Sequence, residues 1–224
     1  MNPPPILRFP DDLPPTGIYD AVLFDFDGTL VDTAPNHYRA WMAAVQELTG
    51  YRFDFSVRDF NEKFAGRSSE QLADAFGLLT GHDPAYLLIA AHAMKKSFKD
   101  GWHEIKPVMD FALNVSGAGA KVAIVSNGDI EGIVHVLNYT RLVEIQSLFI
   151  LGSGDHRGLA MHRPKPAPDS FLLAAVQLRT DPSRCIVIED SPIGLEAAAR
   201  AGMRAYKVTH PAELPVSLEP LSHS

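Results

Sequence analysis

Ala21-Val22-Leu23-Phe24-Asp25-Phe26-Asp27-Gly28-Thr29 opens with four apolar residues in a row and then turns polar at once. A short apolar run that ends at a polar loop predicts a strand buried on both faces, the pattern of parallel sheets flanked by helices. Three further runs share that shape: Val122-Ala123-Ile124-Val125 before Ser126, Leu148-Phe149-Ile150-Leu151 before Gly152, and Cys185-Ile186-Val187-Ile188 before Glu189-Asp190. Ala205-Tyr206-Lys207-Val208 is a weaker fifth. Helical patterns fall between them, including Asp169 to Leu178 behind Pro168 and Ile193 to Ala201 closed by Gly202. Strands alternating with helices predict an α/β fold with a doubly wound, mostly parallel sheet. Ligands of such sheets gather at the carboxyl ends of the strands, which here carry Asp25, Asp27, Ser126, Glu189 and Asp190.

The 224 residues are 46% hydrophobic, enough for one domain with a sizeable insertion and a buried core. A net charge of -7 argues against nucleic acid or an anionic membrane surface as the main partner, because both select for clustered Lys and Arg. The single cysteine, Cys185, has no intramolecular partner and lies in an apolar run, so it reads as a core residue. No apolar run approaches the ~20 residues that span a bilayer, and Met1-Asn2-Pro3-Pro4-Pro5 does not resemble a secretory leader. The expectation is a reduced, cytoplasmic protein. Residues 1–17 hold six prolines and read as an irregular leader. From Ala34 to Ile105 the alternation stops. Helical patterns such as Tyr38 to Leu48 and Ser69 to Leu79 occur there without a convincing buried strand, which predicts a helical insertion after the first strand.

Asp25 and Asp27 stand two residues apart directly after a buried strand, and extended geometry aims both the same way. Two close carboxylates repel unless a cation or shared proton compensates them, which points to a divalent metal or to acid/base work. A turn or N-cap aspartate beside Gly28 is the alternative for this stretch taken alone.

Asp25-Phe26-Asp27-Gly28-Thr29-Leu30-Val31-Asp32-Thr33 resembles the first motif of the haloacid dehalogenase (HAD) superfamily. Val125-Ser126-Asn127 resembles its second motif, Lys165-Pro166-Ala167-Pro168-Asp169 its third and Ile188-Glu189-Asp190-Ser191 its fourth, in order. The resemblance covers nearly the whole chain after residue 18 and implies a Rossmann-like HAD core, residues 1–34 and 106–224, with a helical cap at 35–105. It implies Asp25 as the nucleophile that forms an aspartyl-phosphate and Asp27 as general acid and then general base. Magnesium would be held by the Asp25 carboxylate, the Asp27 carbonyl and Asp190, with Glu189 nearby or in contact. Ser126, the Asn127 N–H and Lys165 would offset the phosphoryl charge.

Within the insertion, residues 33–41 and 60–68 resemble the beta-phosphoglucomutase-like branch, which also contains sugar phosphatases. That likeness implies His37 facing the catalytic carboxylates and Gly66 with Arg67 touching substrate from a loop. Two departures stand out. Lys106-Pro107-Val108-Met109-Asp110 occupies the place of a common Pro-x-x-Gly, and Ser69 stands where the mutase has its phosphate-holding cap arginine. Thr29, apolar in the mutase, favours hydrolysis. The expected activity is a Mg-dependent phosphatase acting on a small phosphorylated metabolite, a sugar phosphate above all, in a monomer or weak homodimer. A sugar-phosphate mutase is the alternative. Asp27 and Asp190 speak against a 2-haloacid dehalogenase, and a non-catalytic scaffold would most simply have lost Asp25 or Asp27.

Overall fold

The computed structural model describes residues 17–64, 67–97, 102–145, 148–153 and 163–208. Its sheet is built from β1 (Ala21–Phe24), β4 (Lys121–Asp129), β5 (Phe149–Ser153), β6 (Cys185–Glu189) and β7 (Arg204–Lys207) in the order β5-β4-β1-β6-β7. Every neighbouring pair is parallel. The five apolar runs are these five strands. The predicted leader lies almost wholly outside the described residues.

Alternation along the strands divides the core in two. Val22, Phe24, Val122, Ile124, Ile186 and Ile188 point to one face and pack with Met109 and Phe111 of α5 (Lys106–Gly117) and Ile133 of α6 (Ile130–Leu137). Ala21, Leu23, Ala123, Val125, Cys185 and Val187 point to the other, against Phe171 of α7 (Asp169–Gln177) and Ala197 of α8 (Pro192–Arg200). Helices on both faces make the sheet doubly wound, and burial of both faces explains why the strands read as continuous apolar runs. The chain leaves β1 for β4 and β5 on one side and later returns to β6 and β7 on the other. Strand order therefore reverses at β1, and the crevice of such a sheet opens at its carboxyl end.

Two short strands, β2 (Val31–Asp32) and β3 (His103–Glu104), pair antiparallel where the chain enters and leaves the insertion. The sequence predicted no strand near residue 103, and a two-residue strand is too short to leave a pattern. Between them run α1 (Ala34–Thr49), α2 (Val57–Phe64), α3 (Ser69–Thr80) and α4 (Pro84–Ser97). They share a core of their own around Trp41, Val45, Phe60, Leu72, Phe76 and Leu87, with Trp41 stacked on Phe76. Ser68 and Gln71 form a capping box at the start of α3, and Gly50 ends α1 in the left-handed region at φ 71°. Despite the missing Pro-x-x-Gly, α5 starts at Lys106 with Pro107 in its first turn, where the lost N–H has no helical partner to forgo. Gly202 lies one residue past the Ala201 C-cap of α8, at φ 72°. Among the described residues no helix is long and apolar enough to cross a membrane.

Candidate active site

Asp25 follows β1 directly, and its N–H donates to the Ile188 carbonyl of β6 (3.0 Å), which extends the strand by one residue and fixes the backbone. Its Oδ1 accepts from the Lys165 ammonium at 2.6 Å. Lys165 is 1% exposed and bridges to Glu189 Oε1 at 2.8 Å. The Asn127 side chain clamps the lysine backbone reciprocally: Nδ2 donates to the Lys165 carbonyl (3.2 Å) and Oδ1 accepts from its N–H (2.9 Å). The second, third and fourth motifs are thus tied together behind the first.

Asp27 faces the cavity side. Its Oδ1 accepts from the Thr33 hydroxyl at 2.5 Å and lies 3.3 Å from His37 Nε2, while Oδ2 lies 3.4 Å from the Ser126 hydroxyl. Thr33 occupies the N-cap position of α1 yet caps nothing with its side chain, because the hydroxyl goes to Asp27 instead. Asp190 Oδ1 accepts from the buried Thr29 hydroxyl at 3.2 Å. Gly28 makes room for it: a Cβ there would meet Asp190 Oδ2 at 2.4 Å, and its φ of 85° is one that side chains resist.

Charge is out of balance in this pocket of structure. Burial pushes the Asp25 carboxyl well above the ordinary range against the pull of Lys165, and Glu189, Asp190 and Asp27 push the same way. Asp190 is pushed up to about 8, by burial first and by Glu189 second. Burial opposes the lysine's charge, but Asp25 and Glu189 outweigh it and raise its pKa. One buried ammonium set among these carboxylates leaves surplus negative charge, the condition a hard divalent cation relieves. Asp25, Glu189 and Asp190 offer carboxylate oxygens that all lie within 4.8 Å of one another. The donor set fits such an ion. Both oxygens of Glu189 already accept hydrogen bonds, Oε1 from Lys165 and Oε2 from the Ser191 N–H and hydroxyl.

A group whose folded pKa lies above its unfolded value binds more protons in the native state, so stability falls as pH rises between the two values. For Asp190 that window runs from its ordinary value of 3.8 to about 8. In chelator, the thermal midpoint of the wild type is expected to decline across this window relative to Asp190→Asn. Parallel pH profiles for the two proteins would show that Asp190 is not strained by its surroundings.

Above the carboxylates lies a cavity of about 690 Å³ between core and insertion. Asp25, Asp27, Ser126 and Asn127 form its floor, and His37, Phe60, Phe64, Arg67, Ser69 and Leu72 are among its walls. His37 reaches the carboxylates from the first turn of α1, and the Arg67 guanidinium lies over the Phe64 ring at 6.0 Å. Gly66 lies outside the described residues. Residues 60–64 end the helix α2, so Phe60 and Phe64 enter the site as an apolar wall. The sequence singled out neither ring for its side chain. It also passed over Thr33 as a partner of Asp27.

The sequence profile of the family described as haloacid dehalogenase-like hydrolase matches residues 19–202. The chain is 31% identical over 211 residues to the validoxylamine A 7'-phosphate phosphatase of Streptomyces hygroscopicus subsp. limoneus, covering 88% of this chain and 89% of that one. It is 27% identical over 195 residues to the fructose-1-phosphate phosphatase YqaB of Escherichia coli, with 85% and 96% covered. The beta-phosphoglucomutase of Bacillus subtilis is 29% identical over 195 residues, with 84% and 82% covered.

Proposed function

The chain belongs to the haloacid dehalogenase-like hydrolase family and is a phosphoric monoester hydrolase of that class; on this premise we propose a magnesium-dependent sugar-phosphate phosphatase that works through an aspartyl-phosphate. The observation that carries the reading is the placement of Asp25: one oxygen is held by a buried lysine at 2.6 Å while the residue lines a substrate-sized cavity beside Asp27.

In this reading an Asp25 oxygen attacks phosphorus, and the ester bond to the leaving oxygen breaks in line. Asp27 gives that oxygen its proton, then takes one from the water that attacks the aspartyl-phosphate. Thr33 holds Asp27 Oδ1, with His37 Nε2 beside it at 3.3 Å, so that Oδ2 faces the substrate near Ser126. The Ser126 hydroxyl, the Asn127 N–H and the Lys165 ammonium balance the charge of the phosphoryl oxygens. Asp25 and Asp190, with the Asp27 carbonyl, would hold Mg2+, while Glu189 stands beside them bound to Lys165. The ion supplies charge neutralisation and orientation of the phosphoryl group. The four helices of the insertion act as a cap that closes off bulk water.

Release of phosphate from a sugar phosphate is expected to cease in chelator, return with Mg2+ and fail with Ca2+. The larger ion takes more ligands and would engage both oxygens of Asp25, the attacking one included. Full turnover in chelator, or equal turnover with Ca2+, would sink the proposal.

The match to a beta-phosphoglucomutase favours a second reading, transfer of the phosphoryl group back to a bisphosphorylated sugar. Ser69, which lines the cavity, offers a hydroxyl where that reaction needs a second phosphate-holding charge. An isomerised sugar phosphate as main product, with turnover strongly stimulated by a bisphosphate, would establish it. Among the described residues Arg58 and Arg67 both line the cap wall; Arg58 is paired with Glu62 at 2.8 Å, and Arg67 is the one suited to a substrate's polar groups. Arg67→Ala is expected to lower kcat/KM for the preferred sugar phosphate by roughly one to two powers of ten, the effect of one charge-assisted contact. Hydrolysis of an aryl phosphate should change far less. Equal loss on both substrates would mark Arg67 as structural.

A further inference from the structure

Glu189 ends β6, and two residues later the chain enters α8, with Ser191 as N-cap accepting from the Gly194 N–H at 3.2 Å. The Glu189 side chain, 0% exposed, folds onto the first turn of that helix: Oε2 accepts from the Ser191 N–H (2.7 Å) and hydroxyl (2.9 Å), and Oε1 from Lys165. Gly194 is the third residue of α8. Its φ is not among the positive ones, so it does not need glycine for its backbone. Inside a helix alanine is the better residue, and the choice of glycine calls for another reason. The reason is space. A Cβ on Gly194 would lie 1.7 Å from Glu189 Oε1, 2.0 Å from its Cδ and 2.7 Å from Oε2.

We propose that Gly194 is a positioning residue: the room left by its missing side chain is the seat of the Glu189 carboxylate, and through Glu189 it sets Lys165 against Asp25. The seat itself follows from distances alone; the link to turnover rests on the phosphatase reading above. A methyl at position 194 must expel the carboxylate, which takes Oε1 from the ammonium and lets Lys165 drift from the Asp25 oxygen it holds at 2.6 Å.

The test is a double-mutant cycle of Gly194→Ala and Glu189→Ala in the full chain, read by thermal unfolding in chelator. In the wild-type background Gly194→Ala is expected to lower the midpoint by about 5 °C or more, as overpacking does. In the Glu189→Ala background the same change should raise it by about 2 °C, because only the helix preference of alanine remains. A similar fall in both backgrounds would overturn the proposal. Should Glu189→Ala not fold, Glu189→Asp, one methylene shorter, replaces it; the penalty of the methyl should then drop by at least half, and an undiminished penalty overturns the idea. Separately, Gly194→Ala is expected to lower kcat for an aryl phosphate at least tenfold at a temperature where it is fully folded, and unchanged kcat would refute the link to Lys165. An inactive wild type would instead sink the phosphatase reading and leave the unfolding cycle to decide the seat.

Discussion

Asp25→Asn is expected to lower kcat for phosphomonoester hydrolysis by roughly four powers of ten or more while the protein stays folded, on the scale of removing a covalent nucleophile. The amide has nearly the shape of the carboxylate, so the packing around this buried residue is kept. Its oxygen still accepts from Lys165, but it cannot attack phosphorus. Because Asp25 also belongs to the carboxylate cluster suited to a cation, loss of rate alone would not separate the two roles. Acid quenching during turnover does so: wild type should yield a phosphorylated peptide containing Asp25, and the variant none. Turnover within tenfold of wild type, or a phosphoryl group mapped to another residue, would end the nucleophile assignment.

The sheet was legible because strands buried on both faces must be apolar at every position. Val22 and Phe24 serve one core and Ala21 and Leu23 the other, so no polar residue interrupts them. The ribbon of β2 and β3 was not legible, since its four residues are placed by pairing across the insertion and by the Ile105 N–H on the Leu30 carbonyl. Asp25, Asp27, Ser126, Lys165, Glu189 and Asp190 announce themselves as polar residues next to apolar runs or within motifs. What each side chain does there is a different matter. Adjacent spacing put Glu189 beside Asp190, but only the fold shows Glu189 bound to Lys165 and Ser191, in a gap left by a glycine five residues on.

The insertion was harder to read for a related reason. Phe60, Phe64 and Leu72 recur at spacings that suit a small helical core, and the structure uses Phe60 and Leu72 for both that core and the cavity wall. A residue with two neighbours of different kinds leaves only one pattern in a sequence. Thr33 likewise looks like an N-cap by position, and its hydroxyl is diverted by the proximity of Asp27, which no local rule conveys.

That diversion bears on the second large effect. Asp27→Asn is expected to cut hydrolysis of an alkyl phosphate such as a sugar phosphate by about two to four powers of ten, the usual worth of a positioned proton donor. An aryl phosphate, whose leaving oxygen needs little protonation, should lose much less in the step that forms the aspartyl-phosphate. Asn keeps an oxygen for the Thr33 hydroxyl, so the local geometry survives the change. The proton is what disappears. With the aryl ester, a phosphoenzyme should therefore still form but break down slowly, because its hydrolysis calls on Asp27 again as a base. A burst of aryl alcohol followed by slow turnover is the expected trace. Equal losses on both leaving groups, without a burst, would reduce Asp27 to a charge that helps hold a cation and would leave the proton unassigned.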